Sequence, residues 1–102
     1  MIPGPQLSTK PGQLHYEEAI AAYQRAIELD PKYAYPHTGL GNVYRPLGRY
    51  EEAIAAYKRA IEFDPKIFQP QLSLAACFRK LGLEAKAIEQ VKIARELTEA
   101  WS

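Results

Sequence analysis

Residues Tyr16–Tyr33 read YEEAIAAYQRAIELDPKY, and residues Tyr50–Ile67 read YEEAIAAYKRAIEFDPKI, so 15 of the 18 positions are identical. The second stretch begins 34 residues after the first. Ala19, Ala53 and Ala87 carry the same interval into a third, diverged copy. A fixed period of this length is the signature of stacked structural repeats. The chain is therefore predicted to be an array of one repeated unit.

Each unit contains two helices. Leu40 and Tyr44 are four residues apart and so share one helical face, as do Ala53 and Tyr57 on the next helix. Gly48 stands between the two, where it suits the left-handed residue that ends one helix and turns into the next. The unit is thus a helix–turn–helix pair in which small and aromatic residues pack between the helices.

Prolines mark the helix ends. Asp30-Pro31 and Asp64-Pro65 end the second helix of a unit, because proline disfavours the helical conformation in the residue before it. Five helices are predicted, at about 14–29, 35–47, 50–63, 69–81 and 83–100. Pro46 lies near the end of the second of these and cannot bond to the Asn42 carbonyl, so a kink or an early 3₁₀ ending is expected there.

This pattern resembles the tetratricopeptide repeat family, whose unit is a 34-residue helix–turn–helix pair. His37 and Gln71 stand where the family most often has tryptophan. The resemblance implies an all-α solenoid of about two and a half repeats. Its parts are an irregular N-terminal segment at 1–13, a half repeat at 14–33, a full repeat at 34–67 and a divergent C-terminal repeat at 68–101.

The resemblance also implies where a ligand binds, since the first helix of each family repeat lines a concave groove. The matching positions here are Tyr35, Thr38, Asn42 and Arg45 in one helix, and Gln69, Leu72, Ala76, Arg79 and Lys80 in the next. Neither first helix contains an acidic residue, because all twelve lie in the second helices and the Asp-Pro ends. The groove is therefore expected to be neutral to basic.

These positions favour a protein–protein interaction scaffold that binds a short, extended peptide, acidic or ending in a free carboxylate. Arg45 and Arg79 are expected to form bidentate hydrogen bonds to carboxylates. Asn42 is expected to hydrogen-bond to a backbone amide of the peptide, both as donor and as acceptor. The same arginines also suit the last turn of a helix, where they complement the macrodipole. Some family members bind the carboxylate tails of cytosolic chaperones, but only Asn42 matches their residues, so we predict that this chain does not.

Composition excludes several other classes of protein. Thirteen basic and twelve acidic residues give a net charge of +1, which argues against a dedicated nucleic-acid binder. No stretch approaches the length of a membrane span, and the single Cys77 fits a reducing, cytoplasmic compartment. No nucleophile has a base at plausible spacing, and His15 and His37 lack metal-ligand partners. We therefore expect no enzyme activity, no metal and no cofactor.

The two ends of the array are predicted to be incomplete. Helix 14–29 lacks a first helix to cover it, and the stripe formed by Ile93, Leu97 and Trp101 has no evident partner. Such faces indicate either self-association through the terminal helices or excision from a longer array. Two alternatives to a scaffold stay open, namely a regulatory or substrate-presenting segment of a larger enzyme, and an engineered or minimal repeat without a specific ligand.

Overall fold

A computed structural model describes residues 13–101, with side chains from residue 15 to residue 99. Within this range the chain forms five α-helices and no strand: α1 Gln13–Leu29, α2 Ala34–Tyr44, α3 Tyr50–Phe63, α4 Gln69–Lys80 and α5 Glu84–Trp101. The predicted all-α class is confirmed. Gln13 already belongs to α1, one residue earlier than predicted, and the rest of the predicted irregular segment lies outside the described residues.

The helices form an extended array. The main packing contacts join each helix to the next one in the chain. The molecule measures 60 × 34 × 19 Å along its principal axes. Contacts between consecutive helices alone, in an elongated body, are what a solenoid requires.

Small residues in repeat register form the centre of the core. Ala53, Ala60 and Ala87 have no exposed surface, and Tyr57 between them is also fully buried. Gly41 faces this ring closely enough that a Cβ atom at residue 41 would come within 2.5 Å of Tyr57 Cε1. The ring therefore fills the space that a side chain on α2 would otherwise occupy, and the two helices approach at that point.

Helix α2 ends earlier than predicted, at Tyr44 instead of residue 47. The last regular bond runs from the Arg45 N–H to the Gly41 carbonyl over 3.0 Å. Pro46 has no N–H to continue the series. The predicted end at residue 47 is thus too late, whereas the early ending expected from Pro46 is confirmed. The turn still closes, because the Arg49 N–H donates to the Tyr44 carbonyl over 3.0 Å.

Glycine makes this closure possible. Gly48 has a φ of 78°, in the left-handed region, and its N–H donates to the Arg45 carbonyl over 3.0 Å. Gly82 adopts the same φ, and the Leu83 N–H reaches the Phe78 carbonyl over 2.8 Å, so both repeats end their first helix in a Schellman motif. The αL positions predicted from sequence are confirmed.

Polar side chains replace the usual tryptophan without leaving unsatisfied atoms. His37 is buried, with Nε2 3.0 Å from the Pro31 carbonyl oxygen. Gln71 is also buried, and its Oε1 accepts from Gln90 Nε2 over 2.6 Å. Each residue thus joins the first helix of its repeat to a segment outside that helix, which gives His37 and Gln71 structural roles.

Candidate peptide-binding groove

A shallow hollow lies beside the N-terminal half of α2. It has a volume of about 480 Å³ and is lined by Tyr23, Ala26, Tyr33, Tyr35, Pro36, Thr38, Gly39, Asn42 and Gln69. Four of the nine predicted groove residues therefore meet there, namely Tyr35, Thr38, Asn42 and Gln69. The other five, which are Arg45, Leu72, Ala76, Arg79 and Lys80, do not line it.

A chain of hydrogen bonds fixes the polar groups on α2. Arg45 Nε donates to Tyr57 Oη over 3.3 Å, and Tyr57 Oη donates to Asn42 Oδ1 over 2.6 Å. Because the side-chain oxygen Oδ1 of Asn42 accepts this bond, the exposed side chain offers the two N–H donors of Nδ2 to a ligand. The sequence predicted Asn42 as both donor and acceptor, and the structure leaves it chiefly a donor.

The threonine predicted to face the groove is turned into the helix. Thr38 is buried, and its hydroxyl lies 3.5 Å from the Ala34 carbonyl oxygen. Tyr35 is instead 56% exposed, and its ring packs edge-to-face on Tyr33 with 5.5 Å between centroids. The phenol rings, more than the hydroxyl of Thr38, form the accessible wall of the hollow.

The basic character predicted for the groove is partly offset at α4. Arg79 Nε lies 3.5 Å from Glu84 Oε2, and both side chains are more than half exposed. Glu84 belongs to α5, so the count of charges within the first helices did not include it. An ion pair this exposed is weak, and a ligand carboxylate can compete for the guanidinium. Lys80 is exposed one residue further on.

Arg45 also acts on the single thiol. Cys77 has no exposed surface, and burial raises the pKa of its thiol, while the nearby charge of Arg45 opposes that shift. A buried thiol with a raised pKa stays protonated and unreactive. Cys77 thus packs as a small apolar residue.

The α4 part of the predicted groove is less polar. Gln69 Nε2 donates to Ser73 Oγ over 3.0 Å, which ties the glutamine to its own helix. Leu72 is 42% exposed, whereas Ala76 is half-buried. This stretch therefore offers an apolar contact between the donors of α2 and the cations at the end of α4.

Three tyrosines near the hollow were not predicted as site residues. Tyr23 and Tyr33 line it, and Tyr57 orients the side chain of Asn42. Tyr23 and Tyr57 occupy the same repeat position, which the sequence analysis assigned to packing alone. Tyr57 carries a hydroxyl on a ring that packs beneath the groove, and this polar atom needs a hydrogen-bond partner. That requirement could have identified Tyr57 as a residue that positions a groove side chain.

The predicted self-association residues are less free than expected. Ile93 and Leu97 are half-buried, and Leu97 lines an open hollow of about 300 Å³ with Lys66, Phe68 and Thr98. The role of Ile93, Leu97 and Trp101 in self-association stays a prediction. The side chain of Trp101 lies outside the described residues.

Metal-ligand clusters and membrane-spanning helices are two features that the described residues do not contain. In residues 13–101 no three His, Cys, Asp or Glu side chains are grouped so that they could hold a metal ion. Among the same residues no helix has the length and apolar character needed to cross a membrane.

Comparison with known proteins gives a consistent group of relatives. The profile of a family described as "TPR repeat" matches residues 15–45 and 41–82. No curated protein matches the chain. Among solved structures, the crystal structure of MamA is similar to 84% of this chain with a TM-score of 0.83 and 34% identity.

Two further solved structures hold peptides. The second TPR of Spaghetti (RPAP3), bound to the HSP90 peptide SRMEEVD, matches with a TM-score of 0.77, 26% identity, 80% of this chain and 76% of its own. The Yersinia enterocolitica type III secretion chaperone SycD, in complex with a peptide of the translocator YopD, matches with a TM-score of 0.79 and 28% identity. The match covers 83% of this chain and 65% of SycD. Against MamA, this chain spans only 50% of the relative's length.

Proposed function

The chain belongs to the tetratricopeptide repeat family, and from this premise we propose that it is a non-enzymatic scaffold whose groove binds a short, extended, acidic peptide. The groove is the surface formed by the exposed side chains of α2 and α4 together with half-buried Arg45, which directly follows α2. The observation that carries the proposal is the absence of any acidic residue from both helices, beside exposed N–H donors and cations.

The donors are spread along the path of an extended peptide. Tyr57 holds Oδ1 of the exposed Asn42 side chain, which leaves the two N–H groups of Nδ2 to bind a ligand. These groups suit backbone carbonyls of the peptide. Arg45 keeps its two Nη groups for carboxylates, since only Nε is committed to Tyr57.

Two relatives support a peptide as the ligand. RPAP3 and SycD are both solved with a peptide, and the RPAP3 peptide SRMEEVD contains three acidic residues. Of the residues with which some family members bind chaperone tails, this chain has only the match at Asn42, so we expect acidic peptides of other sequence to be its ligands. The single free thiol of Cys77 favours a cytoplasmic setting for such a scaffold.

The test uses a fluorescein-labelled heptapeptide with three acidic side chains and a free C-terminus, and its amidated Gln/Asn counterpart. By fluorescence anisotropy, the acidic peptide is expected to bind about tenfold more tightly or better, since two charge-assisted contacts are at stake. The double variant Arg45→Glu/Arg79→Glu is expected to abolish this preference. The matched control is Lys92→Glu/Arg95→Glu, which makes the same charge change at exposed positions of α5.

Two results would refute the acidic-ligand proposal. One is equal affinity for the two peptides. The other is an equal loss of affinity in both double variants, because a response to net charge alone needs no groove.

A further inference from the structure

Helices α1 and α3 are nearly identical in sequence but differ in their surroundings. Three alanines lie on the same face of each: Ala53, Ala56 and Ala60 of α3, and Ala19, Ala22 and Ala26 of α1. Those of α3 are between 0% and 7% exposed. In α1, Ala19 and Ala26 are half-buried and Ala22 is exposed. Within residues 13–101, α3 lies between α2 and α4, whereas α1 has its main contacts with α2 alone, so these residues leave one face of α1 open.

The open face continues beyond the alanines. Leu29 is 73% exposed, whereas Phe63, at the same repeat position, is half-buried with its ring 5.4 Å from that of His37. Tyr33 and Tyr35 follow with 51% and 56% exposure. We call Ala19, Ala22, Ala26 and Leu29 the α1 face. It is an apolar stripe of three helical turns whose counterpart in the complete repeat is closed by other helices.

The charged residues beside the α1 face would be complementary to the same residues of a second copy. Glu18 and Arg25 are seven residues apart, so both lie along the same edge of the α1 face. Their side chains are 68% and 72% exposed, and in the described part of the chain each makes a weak local pair, with His15 and Glu28 respectively. If two α1 helices pack antiparallel about Ala22, Glu18 of each copy faces Arg25 of the other.

We propose that two copies of this chain associate through their α1 faces, as an antiparallel helix pair with two-fold symmetry. Alanine at the contact lets the helix axes approach closely, as the same residues do inside the α3 repeat. The symmetry brings one patch against itself, so the two Glu18–Arg25 pairs form together. A parallel two-fold pair would instead bring the edge that carries Glu18 and Arg25 against the opposite edge of the other copy, so these ion pairs would not form.

The expected dimer is weak. One helix from each copy buries less than the roughly 1,600 Å² of a standard interface, so dissociation constants of about 10–100 µM are expected. Sedimentation equilibrium of the full chain from about 5 to 500 µM should therefore show a monomer–dimer equilibrium. A monomer throughout this range would overturn the proposal, and would mean that the α1 face serves a helix from elsewhere.

Two substitutions locate the interface. Ala22→Arg puts a charge at the proposed two-fold axis and is expected to weaken dimerisation at least ~30-fold, while the monomer stays folded because residue 22 is exposed. Ala21→Arg is the control on the same helix. Its repeat counterpart, Ala55, is exposed even between two neighbours, so this position points away from the packing. Equal effects of the two variants would contradict the proposed face.

A charge exchange tests the antiparallel register. Glu18→Arg alone and Arg25→Glu alone should each weaken the dimer about tenfold, because like charges then meet twice. The double variant Glu18→Arg/Arg25→Glu should recover the affinity of the original chain. If the double variant is as weak as the single ones, the register is wrong. Peptide binding through α2 and α4 is measured independently, so failure here leaves the groove proposal standing.

Discussion

Replacing Tyr57 by alanine is expected to lower the free energy of unfolding by about 4 kcal/mol, whereas Tyr23→Ala should cost only about 2 kcal/mol. The two tyrosines occupy the same repeat position in nearly identical local sequence. Tyr57 has no exposed surface and bonds to α2 through its hydroxyl, while Tyr23 is half-buried. The difference measures what a second neighbouring helix contributes to one ring.

Urea unfolding followed by circular dichroism gives both values under one condition. Since small domains are stable by only about 5–15 kcal/mol, Tyr57→Ala should unfold well below the midpoint of the original chain. Equal losses for the two variants would show that α1 is as well covered as α3. That outcome would also remove the basis for an open α1 face.

Gly41→Ala is expected to destabilise the protein by about 2 kcal/mol, although alanine is the better helix former by about 1 kcal/mol. The added Cβ would lie 2.5 Å from Tyr57 Cε1, and the buried ring has no free space to move into. The next repeat shows the compensated arrangement. It has Ala75 where this one has Gly41, and Val91 where this one has Tyr57.

A double-mutant cycle tests this explanation. In the background Tyr57→Val, which copies the next repeat, Gly41→Ala should no longer destabilise and should raise stability by up to about 1 kcal/mol. The free energies of unfolding of the four proteins give the coupling directly. If Gly41→Ala costs the same in both backgrounds, contact with the ring is not the reason for glycine at residue 41.

The repeat was predictable because its information is local. A 34-residue period, glycine at residues 48 and 82, and proline after aspartate each specify one backbone feature, and the structure contains all of them. The early end of α2 followed from Pro46 for the same reason. Each is a property of a few neighbouring residues and needs no knowledge of what packs against them.

The side chains of the groove were harder to predict because their orientation depends on other helices. Asn42 is oriented by Tyr57, fifteen residues away, and Arg79 is paired with Glu84 from the next helix. Thr38 has the spacing of a groove residue, yet its hydroxyl turns back to its own helix. Helical spacing gives the face on which a residue lies, but not the partner that occupies its polar atoms.

If α2 and α4 together bind a peptide while α3 and α5 support them, the contact can be located residue by residue. The measurement is a titration of ¹⁵N-labelled protein with the acidic heptapeptide, followed through backbone amide shifts by NMR. The shifts should concentrate in α2 and α4, around Asn42, Arg45 and Arg79, and should be small in α3 and α5. Shifts centred on the α3 and α5 surfaces, or none at millimolar peptide, would contradict peptide binding by α2 and α4.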